Sequence, residues 1–463
     1  MTKSKKNNLP TIDTLEARTM MAAHGLKAEA PVALDITTAA YNEGTQLVIN
    51  GSAKNDNINV TRTDAGLLIT NTGGWNTLIT GDYKSIRVNG NAGNDTITID
   101  ASVNTNTVLH GNAGNDSLTG GNGNDQLFGE AGNDTLNGRG GNDTFVTLGG
   151  GKDIVNGNDG YDSFWIDSKN DTVTATNDEV ASGAVHKVAG FESIKTTTTT
   201  GKKTKVTTTA ISIELNGQNL IDPKAEGTVY QNFAGHQLFS DAGPIANDIE
   251  QGYLGDCYFL ATLSSVAKTD ANLIKQSVVD LGDGTFAVKF MKGNKEMYFR
   301  VDADLPTWGN GSLAYANTGS QGSLWVAVME KAFAAFRTGA NSYASIEAGW
   351  MSEVYAALGK TSTNYFSAGT AASLINTIKI ALEQGKSVTY GANTPTDGAP
   401  LIGCHAYSVD RVNLDTNGNA VSVTLRNHWA IDGVGNDGQN DGYVTVTAAQ
   451  LQHNFLGLMI AAV

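Results

Sequence analysis

Cysteine is nearly missing from this chain. Two thiols, Cys257 and Cys404, stand in 463 residues, too few for a disulfide framework. No run of 18 apolar residues occurs, so no helical membrane span is expected. Basic residues are outnumbered, with 31 Lys and Arg against 46 Asp and Glu for a net charge of −15. That balance argues against nucleic acid as a partner and favours solubility or bound cations. The N-terminus MTKSKKNNLPTIDTLEARTMMAAHG starts basic but lacks an apolar h-region, so it is not an ordinary secretory signal. Only 7 prolines occur, whereas glycine reaches 54.

The glycines are concentrated in one place. From about residue 36 to 185 the chain is rich in Gly, Asn, Asp and Thr, with short β-type runs such as TQLVING and SIRVNG. Inside it lies a strict nonapeptide period: GNAGNDSLT (111–119), GGNGNDQLF (120–128), GEAGNDTLN (129–137) and GRGGNDTFV (138–146). Outliers flank it, GNAGNDTIT at 90–98, a stretched GGGKDIVN at 149–156 and GNDGYDSFW at 157–165. Glycines permit the left-handed backbone of a tight turn, and the apolar eighth residue is expected to point into a narrow solenoid. One Asp per repeat then stacks like charges from coil to coil, which is unfavourable unless a cation lies between them.

The repeat is similar to the G-G-x-G-x-D-x-U-x nonapeptide of the RTX family, which implies an all-β parallel β-roll binding Ca²⁺. On that basis Asp116, Asp125, Asp134 and Asp143 are expected calcium ligands, together with Asp95 and Asp162 at the outlying copies. Weak multi-carboxylate sites fill best near millimolar calcium, which implies an extracellular or secreted protein and leaves cell-surface association open. The short LEARTMMA stretch resembles the LEPRxLL-type motif near the start of some large bacterial extracellular proteins.

Composition turns ordinary further on. Residues 186–229, with IKTTTTTGKKTKVTTT, read as a β-hairpin or linker, and exposure there suggests self-cleavage near 196–209. Helical spacing follows in LWVAVMEKAFAAFR (324–337) and SLINTIKIALEQG (373–385), and strands in KSVTYGA, HAYSVDRV and VSVTLRN. In QGYLGDCYFLATL, Gly255 and Asp256 make a turn that places Cys257 at the start of an apolar helix. There the helix dipole and free N–H groups are expected to stabilise a thiolate. His405 lies 148 residues on, and Asn427 lies 170 residues on. Cys, His and Asn in that order and spacing match papain-like hydrolases, in which the thiol attacks, the imidazole moves the proton and the amide orients the imidazole.

QGYLGDC, VDADLPT, WVAVMEKAFA, GCHAYSV and RNHW together resemble the protease core of the calpain family over roughly residues 237–445. The resemblance implies an α+β papain-like fold of two subdomains with the site between them. It implies a cysteine endopeptidase acting on protein or peptide substrates, flexible segments above all. It also implies that Gln251 joins the Cys257 N–H in the oxyanion hole and that Trp429 covers the Asn–His bond. Two departures stand out. His428 replaces the proline of Asn-Pro-Trp, bringing a further imidazole to the site. Asp248 matches one acidic calcium ligand of animal calpains, but Ser323 stands where Glu is frequent, which argues against calcium control of this core.

The expected architecture is therefore multidomain: a tail (1–35), a calcium-binding β-roll (36–185), a Thr-rich β or linker segment (186–229) and a calpain-like protease domain (230–463). Asp256 reads as a cap or turn residue, and Glu330 with Lys331 as the polar edge of a core helix. Cys404 reads as a packed thiol on a strand, and a Cys257–Cys404 disulfide stays open. His236 and His428 read as structural. Two other functions remain: a catalytically silent calcium-dependent surface or binding module, and acyl transfer to an amine by the same triad.

Overall fold

The structure is a computed structural model that describes residues 33–41, 44–200, 203–217, 219–432 and 440–463. The LEARTMMA stretch lies outside the described residues. The chain divides into two units, one running to Ala189 and taking in Ile213–Leu215, the other formed by Gly190–Ser212 and Asn216–Val463.

In the first unit the repeats wind into a parallel β-roll of two facing sheets. One sheet carries Ser85–Asn89, Thr107–His110, Gln126–Phe128, Thr144–Val146, Ser163–Asp167 and Val185–Val188 in parallel register. The other carries Asn57–Thr63, Thr96–Ile99, Ser117–Thr119, Thr135–Gly140, Ile154–Asp159 and Thr172–Thr174. Leu127 pairs with Leu109 and Phe145, so one turn of the roll consumes two nonapeptides. The eighth residue of each repeat fills the interior as expected: Ile97, Leu118, Leu127, Leu136, Phe145 and Phe164 are all fully buried, and so is Val155 in the stretched copy. Burying each side chain contributes roughly 1.5–3 kcal/mol, which a strand of three or four residues could not supply alone.

The fourth position of the repeat admits only glycine. Gly114, Gly132, Gly141 and Gly160 have φ between 118° and 148°. A Cβ at Gly132 would overlap the carbonyl oxygen of Gly114 one turn earlier. Here the backbone conformation and the close approach of successive coils exclude a side chain together.

The second unit has two cores. One is built on the Cys257–Thr269 and Trp325–Phe336 helices against a three-stranded sheet of Val278–Asp280, Thr285–Lys292 and Lys295–Asp302. The other packs the Ala371–Glu383 helix on a six-stranded antiparallel sheet that includes Ser387–Ala392, His405–Leu414, Ala420–Arg426 and Phe455–Ala461. The expected helices and strands of this half all form. Residues 258–267 of the cysteine helix are all buried, which is why its sequence is continuously apolar and not striped. Two of its serines face the six-stranded sheet: Ser264 Oγ lies 3.1 Å from Ser408 Oγ, and Ser265 Oγ donates to Val388 O at 3.0 Å. These bonds hold the helix that begins at Cys257 against the Ser387–Ala392 and His405–Leu414 strands.

The Thr-rich segment is a regular hairpin, Ile194–Thr200 paired with Lys203–Thr209. Of the two expected alternatives it is the hairpin that forms, and the Lys203–Thr208 arm is exposed. Among the described residues no helix is long and apolar enough to cross a membrane, which says nothing of strands.

Gly132→Ala is expected to destabilise the roll by about 3 kcal/mol, the strain of a forbidden backbone conformation plus the displaced coil. Calcium titration followed by circular dichroism on the full chain checks this. An unchanged midpoint would mean that the coils can separate at no cost.

Candidate active site and candidate calcium ladder

The aspartates of the repeats form two ladders inside the roll. In one, the backbone N–H of Asp56, Asp95, Asp116 and Asp134 donates to Oδ1 of Asp95, Asp116, Asp134 and Asp153 in turn, at 2.7–2.8 Å. In the other, the N–H of Thr107, Asp125 and Asp143 donates to Oδ1 of Asp125, Asp143 and Asp162 at 2.7–2.8 Å. The six expected ligands therefore share one geometry. Asp56, Asp153 and Asp171, which accepts from Asp153 N at 3.1 Å, extend the first ladder. Glu179 ends the second by accepting from Asp162 N at 2.8 Å. The sequence signal for Asp56 and Asp153 was the degenerate copies GSAKNDNIN and GGGKDIVN, whose Asp keeps its place before the strand.

Most rungs use one oxygen of the carboxylate and strand the other, whereas Asp125 Oδ2 accepts from Gly121 N at 2.7 Å. Oδ2 of Asp95, Asp116, Asp134, Asp143, Asp153 and Asp162 is buried without a hydrogen-bond partner. Burial pushes these groups up, Asp95 and Asp125 to about 6, Asp153 and Asp162 to about 7, and Asp134 and Asp143 to about 8. A Cβ on Gly111 or Gly138 would fall between such an Oδ2 and the glycine carbonyl of the next coil. Stranded carboxylate oxygens beside main-chain carbonyls are the hard donor set that suits Ca²⁺, so the residues fit the ion. Among the described residues no three His, Cys, Asp or Glu side chains converge on one point. That is the pattern of a site taking one carboxylate per repeat, with carbonyls as the remaining donors. Bound calcium would supply the positive charge that lets the ladder ionise.

The second unit gathers the expected catalytic residues. Cys257 opens its helix and is half-buried, and the Ala406 N–H donates to its thiol. His405, the first residue of its strand, is buried with Nε2 at 2.9 Å from Asn427 Oδ1. An amide oxygen only accepts, so the Nε2 carries the hydrogen and Nδ1 is left as the basic nitrogen. Asn427 is fully buried, and its Nδ2 donates to Ile431 O at 2.8 Å. Trp429 is partly exposed, with its ring 5.1 Å from the His405 ring. Tyr407, which sequence reasoning missed, meets the imidazole edge-on at 5.0 Å.

Gln251 is tied to both sides of this arrangement. Its N–H donates to His428 O at 2.6 Å, and its Nε2 donates to Leu254 O at 2.6 Å and to Asp256 Oδ1 at 3.3 Å. Its Oε1 is buried without a partner.

Several expectations change. Burial pushes the Cys257 thiol up to about 11, with the Ala406 N–H opposing and the Asp256 charge reinforcing the rise. Burial also brings His405 down to about 4, against the bond from Asn427. Burial thus opposes charge on both groups, and desolvation works against the thiolate that the helix terminus favours. Asp256 makes no side-chain cap bond and is fully buried. Glu330 and Lys331 are buried too, Lys331 pairing with Asp222 at 2.5 Å and Asp302 at 2.6 Å. Cys404 is exposed, precedes the strand with φ 53°, and both thiols are free. His428 is buried, with Nε2 3.3 Å from Ser408 Oγ, and burial holds it well below the usual imidazole range, so it brings no charge to the site. His236 lies on the surface with Nδ1 3.1 Å from Gly322 O.

Asp248 does not fit a calcium ion. Its carboxylate already accepts from Ser320 N at 3.0 Å, Ser320 Oγ, Ile245 N at 3.2 Å and Trp325 Nε1 at 2.7 Å. Ser323 offers only a hydroxyl beside it.

Comparison with known proteins agrees with this division. Residues 87–98 and 110–145 match the RTX calcium-binding nonapeptide repeat, and residues 229–437 match the calpain family cysteine protease. Residues 229–437 are a calpain-type protease domain. Similar proteins include Calpain clp-4 of Caenorhabditis elegans, 29% identical over 210 residues that cover 42% of this chain and 29% of that protein. Calpain-A of Drosophila melanogaster is 28% identical over 201 residues, 39% of this chain and 24% of that protein. Calpain-2 catalytic subunit of Gallus gallus is 28% identical over 207 residues, 41% and 29% respectively. The chain thus spans less than a third of the length of these relatives, and the calpain-type domain alone carries the likeness.

The roll makes a pH prediction. Carboxyls whose folded pKa is raised favour the fold most below their unfolded value near 4, and that contribution is lost as pH rises through the folded values of 6–8. In chelator the β signal of the roll is expected to be stronger near pH 5 than near pH 8.5, with calcium restoring it at the higher pH. Equal stability at both pH values in chelator would remove the electrostatic account.

Proposed function

We propose that this protein is a calcium-binding extracellular cysteine endopeptidase, free or surface-associated, that cuts flexible segments of proteins. The observation that carries the catalytic half is the 2.9 Å His405–Asn427 bond beside a thiol that accepts from the next residue, Ala406. It supports a reading in which His405 Nδ1 faces the sulfur. As the sulfur attacks the substrate carbonyl carbon, Nδ1 takes the thiol proton, so charge separates only when the reaction begins. The oxyanion is received by the Cys257 N–H and the Gln251 amide. Collapse breaks the C–N bond, the imidazolium returns its proton to the leaving amine, and a thioester remains on Cys257. Water, deprotonated by the same nitrogen, then attacks the thioester and releases the acid. Asn427 keeps the ring in the required tautomer throughout.

The calcium half rests on the stranded aspartate oxygens, and the extracellular setting on their weak multi-carboxylate character. The roll is proposed to stabilise the chain, with no calcium step in the chemistry.

Casein hydrolysis at rising calcium and under mild reductant tests this. Cys257→Ala is expected to abolish cleavage, and Gln251→Ala to lower kcat by about 10²–10³, the loss typical of one oxyanion donor. A native chain that cleaves nothing while folded would favour a silent binding module, and amine-coupled products would favour acyl transfer.

A further inference from the structure

Behind Gln251 lies a second pair of acids that the proposed chemistry does not use. Asp256 is 0% exposed and Glu330, on the Trp325–Phe336 helix, is 2% exposed. Each carboxyl is close enough to the other to raise or lower its ionisation directly. Two carboxylates have no hydrogen to offer, and with both ionised Asp256 Oδ2 would be buried without a donor. Among the described residues no cation pairs with them: Lys331, the next residue, is committed to Asp222 and Asp302. Glu330 receives only the Ala316 N–H, divided between its two oxygens at 3.3 and 3.2 Å. The free end of the pair is Asp256 Oδ1, which accepts from Gln251 Nε2 at 3.3 Å. That is long for a fully charged acceptor, whose bonds run about 2.7–2.9 Å.

We infer that Asp256 and Glu330 share a single proton and together act as a positioning pair for the Gln251 amide. This rests on the protease reading of Gln251. While the proton is shared, Asp256 holds the amide weakly enough for its hydrogen to turn to an oxyanion. When the proton is lost, Asp256 takes full charge, grips that hydrogen and raises the barrier to ionising the neighbouring thiol. The groups facing the pair are Cys257 and Tyr258 on the cysteine helix, with Tyr230, Tyr315 and Tyr343 around Glu330. None of the tyrosines supplies a positive charge, and burial raises both acids, so the shared proton is held into the neutral range.

The test uses the full chain with calcium, measuring kcat and KM from about pH 5 to 10 alongside the rate of Cys257 alkylation by iodoacetamide, which needs no oxyanion donor. Asp256→Ala is expected to lower kcat about 10–100-fold with KM within about twofold and alkylation within about threefold. Glu330→Gln, whose amide donates to Asp256 at every pH, is expected to lower neutral kcat only about threefold and to flatten the alkaline fall seen in the native chain. An alkaline fall that persists in Glu330→Gln overturns the inference, as does an Asp256→Ala variant in which alkylation falls in step with kcat. If Asp256→Ala does not fold, isotope-edited infrared decides. A protonated-carboxyl band at neutral pH that is lost in Glu330→Gln supports the pair, and identical spectra overturn it. A native chain that shows the band yet cleaves nothing would sink the protease reading while leaving the shared proton in place.

Discussion

A carboxylate taken out of water needs a partner of opposite charge, a set of donors or a proton, and this chain uses all three. In the roll, main-chain N–H groups satisfy one oxygen of each ladder aspartate, and at six of them the other oxygen is left for a cation. In the core, Lys331 is the partner for Asp222 and Asp302, hydrogen-bond donors saturate Asp248, and Asp256 leans on Glu330. The penalty for burying charge is large enough that each solution fixes its surroundings. The coils of the roll must stack in register for the ladder to close. In the core, the Trp325 indole and the Ser320 turn are held around Asp248, leaving it no lone pair for an ion.

The same penalty explains the electrical state of the candidate active site. Cys257 and His405 belong to different cores, brought together by hydroxyl bonds between a helix and two strands. Burial there raises the thiol and lowers the imidazole, so the surroundings disfavour charge on either group.

Much of this was legible in the sequence because the informative residues repeat or come in order. Each nonapeptide states its own register, so the inward residue and the ladder aspartate could be read from any copy. The triad could be read from type and spacing, since Cys257, His405 and Asn427 each sit at the end of a regular element. What escaped depends on distant partners. Glu330 and Lys331 interrupt an apolar run and look like a solvent edge, yet their helix is buried on every side, and Asp222 and Asp302 lie 109 and 29 residues from Lys331. The thiol also misled, because a helix terminus argues for a thiolate and only packing reveals the drier surroundings that oppose it. Cys404 follows the same rule: adjacency to a strand says nothing of the left-handed turn that sends it outward.

The aspartate ladder has a direction. Every bond runs from the backbone of one coil to the carboxylate of the coil that follows, and the second ladder ends at Glu179, itself fixed by a capping box with Thr176. Main-chain bonds such as Thr135 N–H to Asp116 O run the opposite way, so each coil is fastened to the next by a side chain in one direction and by backbone in the other.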